Sequence, residues 1–273
     1  MRVGLLGCGS IGSYVAKKID DGKVSNTELI CIYDKNTSLV VKLNEELKNK
    51  IFVSKSIQQL LENNLDLVVE AASQKAVNEN LNKIITSGSD VLIMSVGALL
   101  DEQLLNNALR ICSEKNTRIY VPSGAVVGLD GLKSAMSANV YEVEITSIKP
   151  KEAFVNNRFL NEKGVDISKI SAKTVVFDGF AKEAVKHFPK SVNVCATLSL
   201  AGIGAEKTKV KVVVDPNAKI IIHKIRVKGG FGEFFTEVRN VQSPQNPKTS
   251  YMACLSALNT LQKLSDKTLQ IGT

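Results

Sequence analysis

The 273-residue chain contains no tryptophan, only two histidines (His187 and His223), and few aromatic residues, 5% in all. Mechanisms that need several imidazoles are thereby excluded. The five cysteines, Cys8, Cys31, Cys112, Cys195 and Cys254, are scattered, with no C-x-x-C pair and no nearby histidine to complete a zinc set. They read as small apolar residues of a reducing compartment, and no metal is expected. No apolar run approaches the roughly 20 residues that cross a bilayer, and Met1 leads into a strand pattern without signal-peptide architecture. A cytoplasmic protein with no membrane partner is expected. The formal charge of +8 comes from lysines spread along the chain, which with so few aromatics reads as a solvated surface rather than a nucleic-acid face. Repeats and low-complexity segments are lacking as well.

What the chain does have is a core: 44% of its residues are apolar and 23% charged, enough for two unequal domains. Short apolar strands alternate with helical patterns up to Pro122. Strands are expected at Arg2 to Leu6, Glu28 to Tyr33, Ile51 to Val53, Leu67 to Val69, Val91 to Met94 and Arg118 to Val121, with helices after the first strand and near 39–47, 75–86 and 101–114. Such alternation predicts a parallel sheet covered on both faces. Beyond Pro122 longer alternating strands predict a half-covered, mostly antiparallel sheet: Tyr141 to Ile148, Lys173 to Phe177, Lys209 to Val214, Ile220 to Val227 and Glu233 to Val238. Helical patterns fall near Asp130 to Ala138 and from Asn193 to Ala201. The stretch Ser243 to Pro247 reads as a linker, and helical spacing from Tyr251 to Leu264 suggests a last helix returning to the first domain. The expected class is α/β, a Rossmann doubly wound domain with a second α+β catalytic domain. Residues 1–122 would bind a dinucleotide, joined by the C-terminal helix 245–273, and residues 123–244 would carry catalysis and dimerisation.

Gly7, Gly9 and Gly12 form G-x-G-x-x-G directly after a strand and opening a helix, with acidic Asp34 ending the next strand. Gly7 permits the tight turn, Gly9 lets the backbone approach a pyrophosphate, and Gly12 packs helix on strand. Ser10 and Ile11 open the helix whose N–H groups and partial positive charge favour phosphates. Asp34 is placed to accept from ribose hydroxyls and would repel a 2′-phosphate, which favours NAD over NADP; Lys35 beside it weakens that preference.

Two glycine-containing segments follow the first domain, Ser123 to Asp130 and Asn193 to Gly202. The first stands at the carboxyl end of an expected strand, where open parallel sheets bind ligands. Both also suit closely packed domain joints, and composition alone does not decide. His223 shares a strand face with Ile221, Ile225 and Val227, while Lys224, Arg226 and Lys228 take the other. It is a core histidine or a catalytic one. His187 reads as an exposed helix end without chemistry.

Six segments in order settle more than any one of them: Gly7 to Gly12, Val69 to Ser73, Met94 to Ala98, Ser123 to Ala125, Asn193 to Gly202, and His223 to Gly232. Together they resemble archaeal and bacterial L-aspartate dehydrogenases over nearly the whole chain. Cys195 stands where a plain small residue is expected. The resemblance implies NAD(P)-dependent oxidation of L-aspartate to oxaloacetate and ammonia through iminoaspartate, which can feed quinolinate synthesis on the way to NAD. It also implies a homodimer, Ala125 and Asn193 as nicotinamide-side contacts, and His223 as the catalytic residue; Ala72 and Ser73 are counted with the cofactor contacts. An imidazole with pKa near 7 would serve as the base, its apolar neighbours keeping it neutral. The substrate carboxylates need cations that the sequence does not single out among its lysines. The competing readings are a two-domain reductase of the dihydrodipicolinate reductase or homoserine dehydrogenase type, and a noncatalytic NAD-binding redox sensor.

Overall fold

The computed structural model describes residues 1–188, 193–243, 246–266, 268–269 and 271. The chain divides into two compact units, Met1–Pro122 with Ala253–Ile271, and a second beginning at Ser123 and running to Met252.

The first unit alternates strand and helix: β1 (Arg2–Leu6), α1 (Ser10–Asp20), β2 (Glu28–Tyr33), α2 (Thr37–Glu46), β3 (Phe52–Val53), α3 (Ile57–Leu61), β4 (Leu67–Glu70), α4 (Gln74–Thr86), β5 (Asp90–Ile93), α5 (Glu102–Lys115) and β6 (Ile119–Tyr120). All strands pair in parallel in the order β3-β2-β1-β4-β5-β6. This is the doubly wound dinucleotide-binding order, with the crevice where the order reverses at β1. The helices start where short polar side chains can satisfy their first N–H groups: Asn36 caps α2, Ser73 caps α4 and Asp101 caps α5. In α4 the residues Val77, Leu81, Ile84 and Ile85 fall on one stripe and are buried. Five-residue α3 is too short to show a helical period, and the sequence reading missed it.

The second unit holds α6 (Leu129–Ala135), β7 (Val140–Lys149), α7 (Arg158–Glu162), β8 (Thr174–Phe180), α8 (Ala181–His187), α9 (Asn193–Ala201), β9 (Lys209–Val214), β10 (Ile221–Gly229) and β11 (Gly232–Asn240). The sheet order is β11-β10-β7-β9-β8, antiparallel except for the β7–β9 pair. Strict alternation sets its two faces. Val143, Ile145, Val210, Val212, Ile225 and Val227 are buried, while the other face carries the pairs Lys224–Glu237 at 2.8 Å, Lys211–Glu144 at 3.5 Å and Arg226 with Glu233.

Where a linker was expected, Gln242–Ser243 (β12) and Asn246–Ser250 (β13) pair as a short ribbon, Pro244 and Gln245 lying outside the described residues. The last helix, α10, is Tyr251–Ser265, and its Ala257 and Leu261 are buried in the first unit's core beside Val3, Leu29 and Ile32. Among the described residues no helix is long and apolar enough to cross a membrane. His187 is half-buried rather than exposed, its ring stacked on Phe159 at 3.9 Å.

Candidate active site

At the end of β1 the chain turns at Gly7 with φ +104°, a conformation that costs a side-chain-bearing residue 1 kcal/mol or more in rough terms. A Cβ there would also sit 2.6 Å from the Ala71 carbonyl carbon, so the turn lies against the loop after β4. Helix α1 then begins with Gly9 as its cap, no side-chain cap bond and no acidic residue in its first turn. Its first N–H groups and its dipole are therefore open to an anion. Gly9 leaves open space where a Cβ would stand, with no heavy atom within 4 Å, and the buried Ser10 Oγ has no hydrogen-bond partner among the described residues. An uncapped helix end, an orphaned hydroxyl and an uncrowded glycine fit the phosphates of a dinucleotide.

A cavity of about 530 Å³ beside this turn is lined by Gly9, Asp34, Ala72 and Ser73 together with Leu6 and Lys35. Four residues expected from the sequence to contact the cofactor thus share one cavity. Asp34 does more than face it, because its two carboxylate oxygens accept from the N–H groups of Cys8 and Asn36, each at 2.8 Å. It braces the glycine turn, and its remaining lone pairs can accept from ribose hydroxyls. Lys35 is paired with Glu79 at 2.7 Å.

The sequence reading missed Glu70. It is 1% exposed at the end of β4, and it accepts from the N–H groups of Ala72 (2.8 Å) and Ser73 (3.0 Å) through Oε1, from Ser95 Oγ (2.9 Å) through the same atom, and from Ser95 N–H (3.0 Å) through Oε2. Burial pushes its carboxyl up while these four donors pull it down. One side chain therefore holds the loops after β4 and β5, including the two cavity residues Ala72 and Ser73. Glu70→Gln would turn an NH2 towards donors. We expect a loss of about 1–3 kcal/mol in urea unfolding followed by circular dichroism, together with a raised KM for NAD and a smaller change in kcat.

In the second unit Ser147, Lys149 and His223 are buried on the largely aliphatic inner face of the sheet. His223 is 3% exposed, and its Nδ1 lies 2.9 Å from Ser147 Oγ, directly across the β10–β7 ladder. Two residues along β7 on the same face is Lys149, 5% exposed. Burial, joined by the Lys149 charge, pushes the imidazole down to about 3; burial likewise pushes the Lys149 ammonium down to about 8. The sequence reading placed the imidazole near pH 7. Its direction, a neutral ring, agrees, but the value is corrected, because the deep site and a neighbouring cation both disfavour imidazolium.

Over this face lies α9, whose Val194, Cys195, Ala196 and Leu198 are buried. Cys195 stands close enough to interact electrostatically with Lys149, and burial drives its thiol up to about 12, so it is no thiolate nucleophile. Asn193 opens this helix. Ala125 belongs to a turn whose position is fixed by Asn240, buried on β11: Asn240 Nδ2 donates to the Ala125 carbonyl at 3.1 Å, and Asn240 Oδ1 accepts from Ser250 Oγ at 2.7 Å. Asn240, like Ser147, was not anticipated. Arg226 points to the opposite face, as the alternation predicted, and is paired there with Glu233.

The strand order of the first unit and its glycine turn are those of a doubly wound dinucleotide-binding domain. Residues 7–122 match the homoserine dehydrogenase NAD-binding domain family, and residues 130–264 match the family described as aspartate dehydrogenase, C-terminal. The L-aspartate dehydrogenase of Methanococcoides burtonii is 45% identical over 273 residues, covering 100% of both chains, and that of Nitrosopumilus maritimus is 42% identical over 272 residues, covering 100% of this chain and 99% of its own. A crystal structure of aspartate dehydrogenase from Thermotoga maritima superposes with a TM-score of 0.76 at 29% identity, covering 99% of each chain. The chain belongs to the L-aspartate dehydrogenase family. The match to the homoserine dehydrogenase NAD-binding family spans the nucleotide-binding half.

Proposed function

We infer that the protein is an NAD(P)-dependent L-aspartate dehydrogenase whose base is His223. L-aspartate, water and NAD(P)+ give oxaloacetate, ammonium, NAD(P)H and a proton through iminoaspartate. The observation that carries this reading is the buried His223–Ser147 pair at 2.9 Å, set on a sheet face that also holds a buried cation. A core histidine would need the hydrogen bond as well, but not the buried cation on the same face.

With Nδ1–H donating to Ser147 Oγ, the ring is fixed in the tautomer that leaves Nε2 as an acceptor. Burial keeps it uncharged at neutral pH, ready to take a proton from the substrate ammonium. The freed nitrogen lone pair then pushes electrons towards C2 as the C2 hydride departs. The nicotinamide supplies the hydride acceptor when bound, and the residues suited to hold its dinucleotide are the turn from Gly7 to Gly12, Asp34, Ala72 and Ser73. His223 can take a second proton from the water that adds to the imine, once its first has been passed on. Ala125 and Asn193 are assigned to the nicotinamide side, with Asn240 holding Ala125 in position. Asp34, and the pairing of Lys35 with Glu79, support NAD as the preferred cofactor. Five free, buried cysteines support a cytoplasmic setting, and Phe235, exposed on the second unit's outer sheet face, supports a homodimer.

The test is reduction of NAD+ and of NADP+ in the presence of a panel of amino acids. Turnover with L-aspartate alone among them, with the lower KM for NAD+, is the expected result. Tight NADH binding without turnover of any amino acid would favour a redox sensor instead.

A further inference from the structure

Helix α4 lines part of the nucleotide cavity, and its sequence sorts into two faces. Val77, Leu81, Ile84 and Ile85 turn into the core, while Lys75, Glu79 and Lys83, spaced four apart, form a charged row along the cavity. Lys35, just past the end of β2, joins that row. One oxygen of Glu79, Oε2, lies 2.7 Å from Lys35 Nζ, and the other, Oε1, lies 3.8 Å from Lys75 Nζ. Lys83 is turned to Asn80, its Nζ 3.4 Å from Oδ1. A single carboxylate therefore holds two of the three ammonium groups that line the cavity.

The two acids of this cavity are committed differently. Asp34 is tied to the glycine turn, both of its oxygens accepting backbone N–H groups. Glu79 makes its ion pairs with Lys35 and Lys75, side chains that are 65% and 79% exposed. Pairs so open to water contribute little to stability, because solvent screens the charges and two long side chains must be held still. What they do change is the charge that a ligand meets. The hydroxyls of a ribose are neutral, and Asp34 can accept from them. A phosphate on the 2′ oxygen brings a charge of about −1.5 to −2 at neutral pH, which lysines on flexible stems are suited to meet. Glu79 keeps two such lysines occupied and sets a like charge beside them.

The geometry points to Glu79 as a specificity-determining residue: by holding Lys35 and Lys75 and adding its own charge, it turns the cavity against dinucleotides that carry a 2′-phosphate. The cations that would receive that phosphate are already in place and become available once the carboxylate is gone. This rests on the reading of the cavity as the cofactor site, and it goes beyond the preference assigned to Asp34 by locating the discrimination on α4. Selectivity of this kind works by repulsion and by masking, and needs no contact between Glu79 and the cofactor that is accepted.

Binding of NADH and of NADPH, which differ by the 2′-phosphate alone, is measured by fluorescence titration of the full-length protein, without amino-acid substrate. The parent is expected to bind NADH more tightly. Glu79→Gln keeps the size of the side chain and removes its charge; it is expected to tighten NADPH about 10-fold while NADH stays within about twofold, which also shows that the variant folds. The gain should shrink as salt is raised towards 1 M, where charges are screened beyond about 3 Å. Adding Lys35→Met and Lys75→Met to Glu79→Gln should remove most of it, because the released lysines supply it. Equal changes for the two dinucleotides, or none, overturn the proposal and leave Glu79 as a link between α4 and the end of β2. A gain untouched by the two lysine replacements overturns it as well, as does a parent that binds NADPH as tightly as NADH. A parent that binds neither dinucleotide fails the reading of the cavity itself, and this inference falls with it; NADH binding with unaltered discrimination in Glu79→Gln fails this inference alone.

Discussion

His223→Ala is expected to slow L-aspartate oxidation by on the order of 10²- to 10⁴-fold, the usual contribution of a positioned general base, while NADH binding is retained. The separation follows from where the residue sits. It lies on β10 in the second unit, hydrogen-bonded to Ser147, whereas the glycine turn, Asp34 and the Glu70-braced loops belong to the first. Stopped-flow reduction of NAD+ compared with NADH binding by fluorescence separates the two quantities. A variant that loses NADH affinity in proportion to its rate would count against His223 as base. The pH dependence sharpens the test. An imidazole near pH 7 in the free enzyme would give kcat/KM an acid limb there. With the folded value lowered to about 3, the ring is already unprotonated throughout the neutral range, so kcat/KM should carry no limb from His223 between about pH 5 and pH 8.

Two of the residues that sequence reasoning overlooked were lost at the same step. Glu70 and Lys149 each close an apolar strand, and each expected strand was ended one residue early, at Val69 and at Ile148, because a charged residue reads as the first of a loop. Period two would have put Lys149 on the face of Val143 and Ile145, and the following Pro150 marks it as extended. That signal was present and outweighed by the rule that lysine avoids the interior. Glu70 carried no such signal: its reason for being buried is four donors on loops 72–73 and 95, which only the folded chain brings together. Asn240 is similar, since its partners Ala125 and Ser250 are distant or unremarkable in sequence. By contrast the glycine turn with its flanking strand and helix was fully legible, because its constraints are local and steric. The doubly wound order followed from strand and helix alternation. The pKa of His223 was misjudged for the same reason that Lys149 was missed. Charge across a sheet is a property of register, and register between β7 and β10 cannot be read from either strand alone.

A pair of glycine substitutions separates what the turn does for the fold from what it does for the cofactor. At Gly12 an added Cβ would stand 1.9 Å from the Gly7 carbonyl oxygen and 3.2 Å from Leu5 Cδ1. The first of these is backbone and has no rotamer to escape into, so α1 must move off β1 or the turn must open. Alanine's better helix propensity recovers at most about 1 kcal/mol of this. Gly12→Ala is therefore expected to cost about 3 kcal/mol in unfolding, towards the upper end for overpacking a core, and to weaken NAD binding as a consequence. At Gly9 the backbone is extended with φ −72°, which alanine adopts freely, and no heavy atom lies within 4 Å of the new methyl. Gly9→Ala should cost under about 1 kcal/mol of stability, the scale of a cap substitution, yet place a methyl in the space left for the pyrophosphate and lose most NAD affinity. Urea unfolding and NADH titration of the two variants measure both quantities. Loss of NADH affinity in both, with a large loss of stability only in Gly12→Ala, is the expected pattern; unchanged NADH binding in Gly9→Ala would remove the glycine turn from the cofactor site and leave it only its part in the fold.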